Sequence, residues 1–130
     1  MACILVVDDE IEVGEAIQRV LEQAGFLVTV TSGVAEGLKF LETATPDVVV
    51  TDMIMPKVNG LEFIKTLRSR FPKIRIVAIS GGGNPISYKP EAVVTHAYLA
   101  AARAAGAEEV LTKPFDMDDL LSAVRRQLLN

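Results

Sequence analysis

A chain of 130 residues, half of them hydrophobic and 23% charged, carries enough apolar material to close one domain around a core, which excludes disorder. Five Phe, two Tyr and no Trp make that core aliphatic. A net charge of −4 leaves no broad basic face for a nucleic-acid backbone, and no run nears the ~20 apolar residues of a membrane span. The single Cys3 can form no internal disulfide, and the N-terminus lacks the charged region of a signal peptide. The expectation is a small cytoplasmic protein with no direct nucleic-acid contact and no membrane insertion.

Two kinds of apolar run alternate along the chain. Cys3 to Val7 is a continuous β-favouring run that ends at Asp8-Asp9. Val13, Ala16, Ile17, Val20, Leu21 and Ala24 then recur at three and four, predicting an amphipathic helix stopped by Gly25. Leu27 to Thr31 returns to β character. A second helix follows, with Ser32 as its expected N-cap and Val34, Leu38 and Leu41 on one face. Val48 to Thr51 is the most β-like run and ends at Asp52. A loop leads to Gly60, after which Phe63, Ile64, Leu67 and Phe71 mark a third helix closed by Pro72. Ile74 to Ile79 forms a fourth strand entering Ser80-Gly81-Gly82-Gly83. Residues 81–90 hold three Gly and two Pro and read as a loop. An alanine-rich helix runs from Pro90 to Gly106, and a short strand, Glu109 to Thr112, meets Lys113-Pro114. A last helix from Asp116 turns Met117, Leu120, Leu121, Val124 and Leu128 inward.

Five strands alternating with five helices predict an α/β fold. Strands that read as unbroken apolar runs are those buried on both faces, as parallel strands covered by helices must be. A doubly wound, flavodoxin-like five-stranded parallel sheet in the order 2-1-3-4-5 follows, with helices on both faces. Its switch point lies between the first and third strands, so Asp8, Asp9 and Asp52 meet at one edge. Three like charges repel there unless a cation enters, and oxygen-only ligands suit Mg²⁺. Ser80 and Lys113, at the ends of the fourth and fifth strands, offer a hydroxyl and a cation to the oxygens of a phosphoryl group. Asp52 between them is placed to be a nucleophile that becomes an acyl phosphate.

Asp8-Asp9, Asp52 followed by Met55-Pro56 and Gly60, Ser80, and Lys113-Pro114-Phe115 together resemble the receiver domain of two-component response regulators. The resemblance runs from the first strand to the last helix, and five motifs in order at strand ends make it specific. It implies that Asp52 takes phosphate from a histidine kinase or phosphotransfer protein. It implies that Asp9, Asp52 and the backbone carbonyl of Ile54 hold Mg²⁺ directly, with Asp8 acting through water. Ser80 then stands as the switch hydroxyl, Lys113 as the phosphate-binding lysine, and Lys113-Pro114 as a cis peptide. The module would signal to a downstream protein through the helix 90–105, the strand 109–112 and the final helix. Residues 1–130 resemble the stand-alone class with no output domain. Two further departures stand out. Val110 sits where the family usually has an aromatic ring, and the segment after Ser80 is about ten residues longer than usual, so the switch is expected to involve Gly81 and the loop to Pro90, with Tyr88 as its mobile ring.

Blander readings compete. Asp8-Asp9 could cap the following helix, and Asp52 could be an ordinary turn residue. The glycines after Ser80 carry no Lys-Ser/Thr, which rules out a phosphate-cradling P-loop. His96 reads as a surface or half-buried residue, Cys3 as a small hydrophobe, and Arg68, Arg70, Lys73 and Arg75 as a solvated face. An aspartyl-phosphate phosphatase of the haloacid dehalogenase type would need a second Asp where Ile54 stands, and a cap domain that 130 residues leave no room for. The expectation is a signalling module rather than an enzyme.

Overall fold

The computed structural model of the chain describes residues 1–55, 58–81, 100–113 and 115–129, with the backbone alone at 54, 55, 58, 59, 80, 81 and 113. The expected loop to Pro90, most of the helix 90–105, His96, Tyr88, Tyr98 and Pro114 lie outside the described residues. The elements are β1 (Cys3–Val7), α1 (Ile11–Gln23), β2 (Leu27–Thr31), α2 (Val34–Leu41), β3 (Val48–Asp52), α3 (Gly60–Arg70), β4 (Arg75–Gly81), the helical residues 100–105 as α4, β5 (Glu109–Lys113) and α5 (Met117–Leu129). The strands form one parallel sheet in the order β2-β1-β3-β4-β5. The order and the strands match the expectation from the alternating runs.

Period-two alternation sorts the strand side chains onto two faces. Leu5, Val7, Val49, Ile76 and Ala78 pack with Leu41 of α2, with Phe63, Ile64 and Leu67 of α3, and with Ala102 of α4. Ile4, Val6, Val48, Val50, Val77 and Ile79 pack with Ile17 and Leu21 of α1 and with Leu120, Ala123 and Val124 of α5. Every residue of β3 is buried, whereas the edge strand β2 begins exposed at Leu27. No helix among the described residues is long and apolar enough to cross a membrane.

Two local expectations are corrected. Ser32 does not cap α2. Gly33 holds the N-cap position without a side-chain hydrogen bond, and the Ser32 N–H instead donates to Glu36 Oε2 at 2.8 Å. That bond, more than the Ser32 side-chain bond beside it, holds the Glu36 carboxyl below its ordinary value. A carboxylate three residues into the helix thus reaches back to the residue before the N-cap, one position earlier than in a capping box. The second correction concerns Arg68, which is not part of a solvated face. Its guanidinium donates to the carbonyls of Pro72 at 2.9 Å, Ile74 at 3.3 Å and Gly106 at 2.6 Å, and it pairs with Glu108.

At the far edge of the sheet Arg126 grips both oxygens of Glu109, at 2.9 and 3.1 Å, and Gln127 Nε2 donates to Oε2 at 2.8 Å. The Arg126 bond holds the Glu109 carboxyl below its ordinary value, against a smaller upward push from burial. A depressed carboxylate contributes stability above its unfolded value and loses it as pH falls through the folded one. Glu109→Gln should therefore melt slightly lower than wild type at neutral pH. The gap should close below pH 4.5, the ordinary glutamate value. Solvent exposure of the arginine keeps the effect small. Paired thermal melts across that range check it, and a gap that widens on acidification would contradict the assignment.

Candidate functional site

The carboxyl ends of the strands carry the polar residues. β1 stops at Val7, paired with Thr51 of β3, so Asp8 and Asp52 leave neighbouring strands side by side. The Asp8 N–H donates to the Thr31 carbonyl at 3.1 Å, extending the β1–β2 ladder by one residue. Asp52 pairs with Ile79, and the Met53 N–H donates to the Ile79 carbonyl at 2.8 Å, which extends β3 along β4 in the same way. The main chain at both aspartates is thus tied to a neighbouring strand.

Asp8 is 1% exposed and Asp52 is 3% exposed, and Asp9 is more open than either. Carboxylate oxygens of the three lie within 4.8 Å of one another. The capping explanation of Asp8 accounts for one oxygen only. Oδ1 accepts from the Glu10 N–H at 2.8 Å and shapes the turn into α1, whose own N-cap position is Glu10. Two buried carboxylates beside a third are costly without a compensating cation. A hard, all-oxygen donor set of this kind fits a small divalent cation that keeps part of its water shell.

Ser80 pairs with Thr112 and Gly81 with Lys113, so the backbones of Ser80 and Lys113 lie one and two residues beyond the Asp52–Ile79 level, at the same edge. Ile54 follows Met53 and pairs antiparallel with Asn59, in a stretch read from sequence as plain loop. Val110 pairs with Ala78 and packs, partly buried, against the α3 side of the core. Sequence reasoning missed the demand placed on Gly60, at the head of α3: an ideal Cβ there would lie 2.4 Å from the Met53 carbonyl oxygen. The signals available were a glycine ending a loop and its place in the motif that follows Asp52.

The family model for the response regulator receiver domain matches residues 4–125. The chain belongs to the receiver-domain family of two-component response regulators. The chain is 32% identical over 126 residues to the DNA-binding transcriptional regulator NtrC of Escherichia coli (strain K12), covering 95% of this chain and 24% of that protein. It is 33% identical to the response regulator MprA of a Mycobacterium species over 96% of this chain and 50% of that one. It thus spans a quarter to a half of the length of these two relatives. A response regulator receiver domain from Clostridium thermocellum superposes with a TM-score of 0.80 at 32% identity, covering 98% of this chain and 94% of that one. Receiver domains are signalling modules controlled by phosphorylation.

Proposed function

We propose that this receiver takes a phosphoryl group on Asp52 from a histidine kinase or phosphotransfer protein and changes its contacts with a downstream protein. The observation that carries the reading is the meeting of Asp8, Asp9 and Asp52 within 4.8 Å at the ends of β1 and β3. Mg²⁺ would be held by Asp9, Asp52 and the Ile54 carbonyl, with Asp8 through water, and would offset charge on the incoming phosphoryl oxygens. A carboxylate oxygen of Asp52 forms the new P–O bond as the donor's P–N bond breaks, and the departing imidazole takes up a proton. The Lys113 ammonium pairs with the transferred group, and the Ser80 hydroxyl donates to it. Burial of Asp52 keeps bulk water from the acyl phosphate.

Ile11, 64% exposed at the head of α1 beside this edge, gives the donor protein an apolar footing. The response spreads from Ser80 through Gly81 into residues 82–90. The surface that changes comprises 90–105, β5 and α5. Residues 1–130 act as one receiver unit in the cytoplasm, without direct nucleic-acid contact.

Incubation with acetyl phosphate and Mg²⁺ tests the reading, with the added phosphate weighed on the intact protein and its site found in borohydride-reduced peptides, where a phosphorylated aspartate becomes homoserine. Phosphate should appear on Asp52, require Mg²⁺ and vanish in Asp52→Ala. Lys113→Ala should still accept phosphate but transmit the change poorly. Phosphate on Ser80, or phosphate retained in Asp52→Ala, would refute it.

A further inference from the structure

We propose that Gly60 is a positioning residue for the acidic site, because the bare first residue of α3 lets that helix press on the Met53 backbone and so fixes the peptides between Asp52 and Ile54. An ideal Cβ at Gly60 would lie 2.4 Å from the Met53 carbonyl oxygen, 2.8 Å from its Cα and 2.9 Å from its carbonyl carbon. These are backbone atoms, so no rotamer change relieves the overlap. Gly14 and Gly37 differ: the nearest atoms to their Cβ positions are side-chain methyls, of Val30 at 2.8 Å and Val7 at 3.2 Å, and not backbone atoms next to the acidic residues. Gly60 is not among the positive-φ glycines Gly25 and Gly106, so close approach, not backbone conformation, is what requires a glycine there.

Neither partner in this contact can withdraw cheaply. Met53 is 1% exposed with its side chain in the core, and its N–H is bonded to Ile79. Phe63, Ile64 and Leu67 of α3 are 2%, 0% and 0% exposed in the same cluster. A methyl at position 60 must therefore push the Met53 carbonyl, which is the peptide that leads into Ile54 and lies one residue from the Asp52 carboxylate. Supports one step removed from a metal ligand typically set affinity by about ten- to a hundredfold.

This inference rests on the proposed binding of Mg²⁺ at Asp9, Asp52 and the Ile54 carbonyl. The test is an NMR titration of wild type, Gly60→Ala, Gly37→Ala and Met53→Ala with Mg²⁺, with sucrose added to hold weakened variants folded. Gly60→Ala should bind Mg²⁺ about tenfold or more weakly, and Met53→Ala, which removes the core anchor of the same peptide, should also bind more weakly. Gly37→Ala should lose stability but keep wild-type affinity. Uptake of phosphate from acetyl phosphate by Gly60→Ala should be slow at limiting Mg²⁺ and recover at saturating Mg²⁺, which a purely structural loss would not do. Wild-type affinity in Gly60→Ala overturns the inference alone, and so does unchanged affinity in Met53→Ala if Gly60→Ala does not fold. Absence of Mg²⁺ binding by wild type overturns both the inference and the function it rests on.

Discussion

In metal-free buffer Asp52→Asn should melt several degrees above wild type, and millimolar Mg²⁺ should narrow the gap by stabilising the wild type. Carboxylate oxygens of Asp8, Asp9 and Asp52 lie within 4.8 Å of one another, and two of the three residues are almost fully buried. Two unit charges at that spacing repel by about 3 kcal/mol at the effective dielectric of a partly buried site. Neighbouring donors and cations reduce this, which leaves a net relief of roughly 1–2 kcal/mol when one charge is removed. Asparagine has nearly the same shape, so no cavity offsets the gain. A cation that binds only the folded state adds about 1.4 kcal/mol at ten times its dissociation constant, and it adds most where all three charges are present. Thermal melts of both proteins in chelator and in Mg²⁺ decide the matter. Identical curves in chelator, together with no response to Mg²⁺, would show that the cluster carries neither the repulsion nor the metal.

The parts of this molecule that could be read from its sequence are those governed by local period and by strand order. Val48 to Val50 has no polar residue to turn outward, and burial on both faces is the outcome. Ile17 and Leu21 on one helix, and Leu120 and Val124 on another, follow helical spacing onto the same face of the sheet. Once the order 2-1-3-4-5 is assumed, Asp8 and Asp52 must be neighbours, because each ends a strand adjacent to the switch point. What could not be read depends on contacts between distant stretches. Arg68 looks like any charge near a loop until α3 ends beside residues 106–108, which lie 38 and 40 positions away at Gly106 and Glu108. The requirement at Gly60 likewise appears only when the helix docks on Met53. Ser32 has the composition of a cap, yet Gly33 takes the cap position and the Ser32 hydroxyl, like its N–H, goes to Glu36, four residues on.

Arg68→Ala should cost about 2 kcal/mol, more than an exposed ion pair would. A surface pair is worth under about 1 kcal/mol because water solvates both partners and salt screens them. Here the Arg68 side chain is 29% exposed and that of Glu108 is 20% exposed. The guanidinium also serves three carbonyls: Pro72 and Ile74 beyond the end of α3, and Gly106 beyond the end of α4. Removing it leaves those acceptors to find water and leaves Glu108 in place, because its second oxygen is held by the Ile76 N–H at 2.6 Å. Loss of one partner from a fully buried pair costs 3–5 kcal/mol, and partial exposure brings this case below that range. For a domain of this size the melting temperature should fall by roughly 7 °C. Arg68→Lys should recover only part of the loss, since an ammonium keeps the charge opposite Glu108 but cannot span the carbonyls with a planar fork. The carbonyl bonds also set the salt response: most of the deficit in Arg68→Ala should persist at 1 M salt, where an ion pair alone would be screened. Full rescue by lysine, or a deficit that disappears in high salt, would reduce Arg68 to the solvated charge that its sequence neighbourhood suggests.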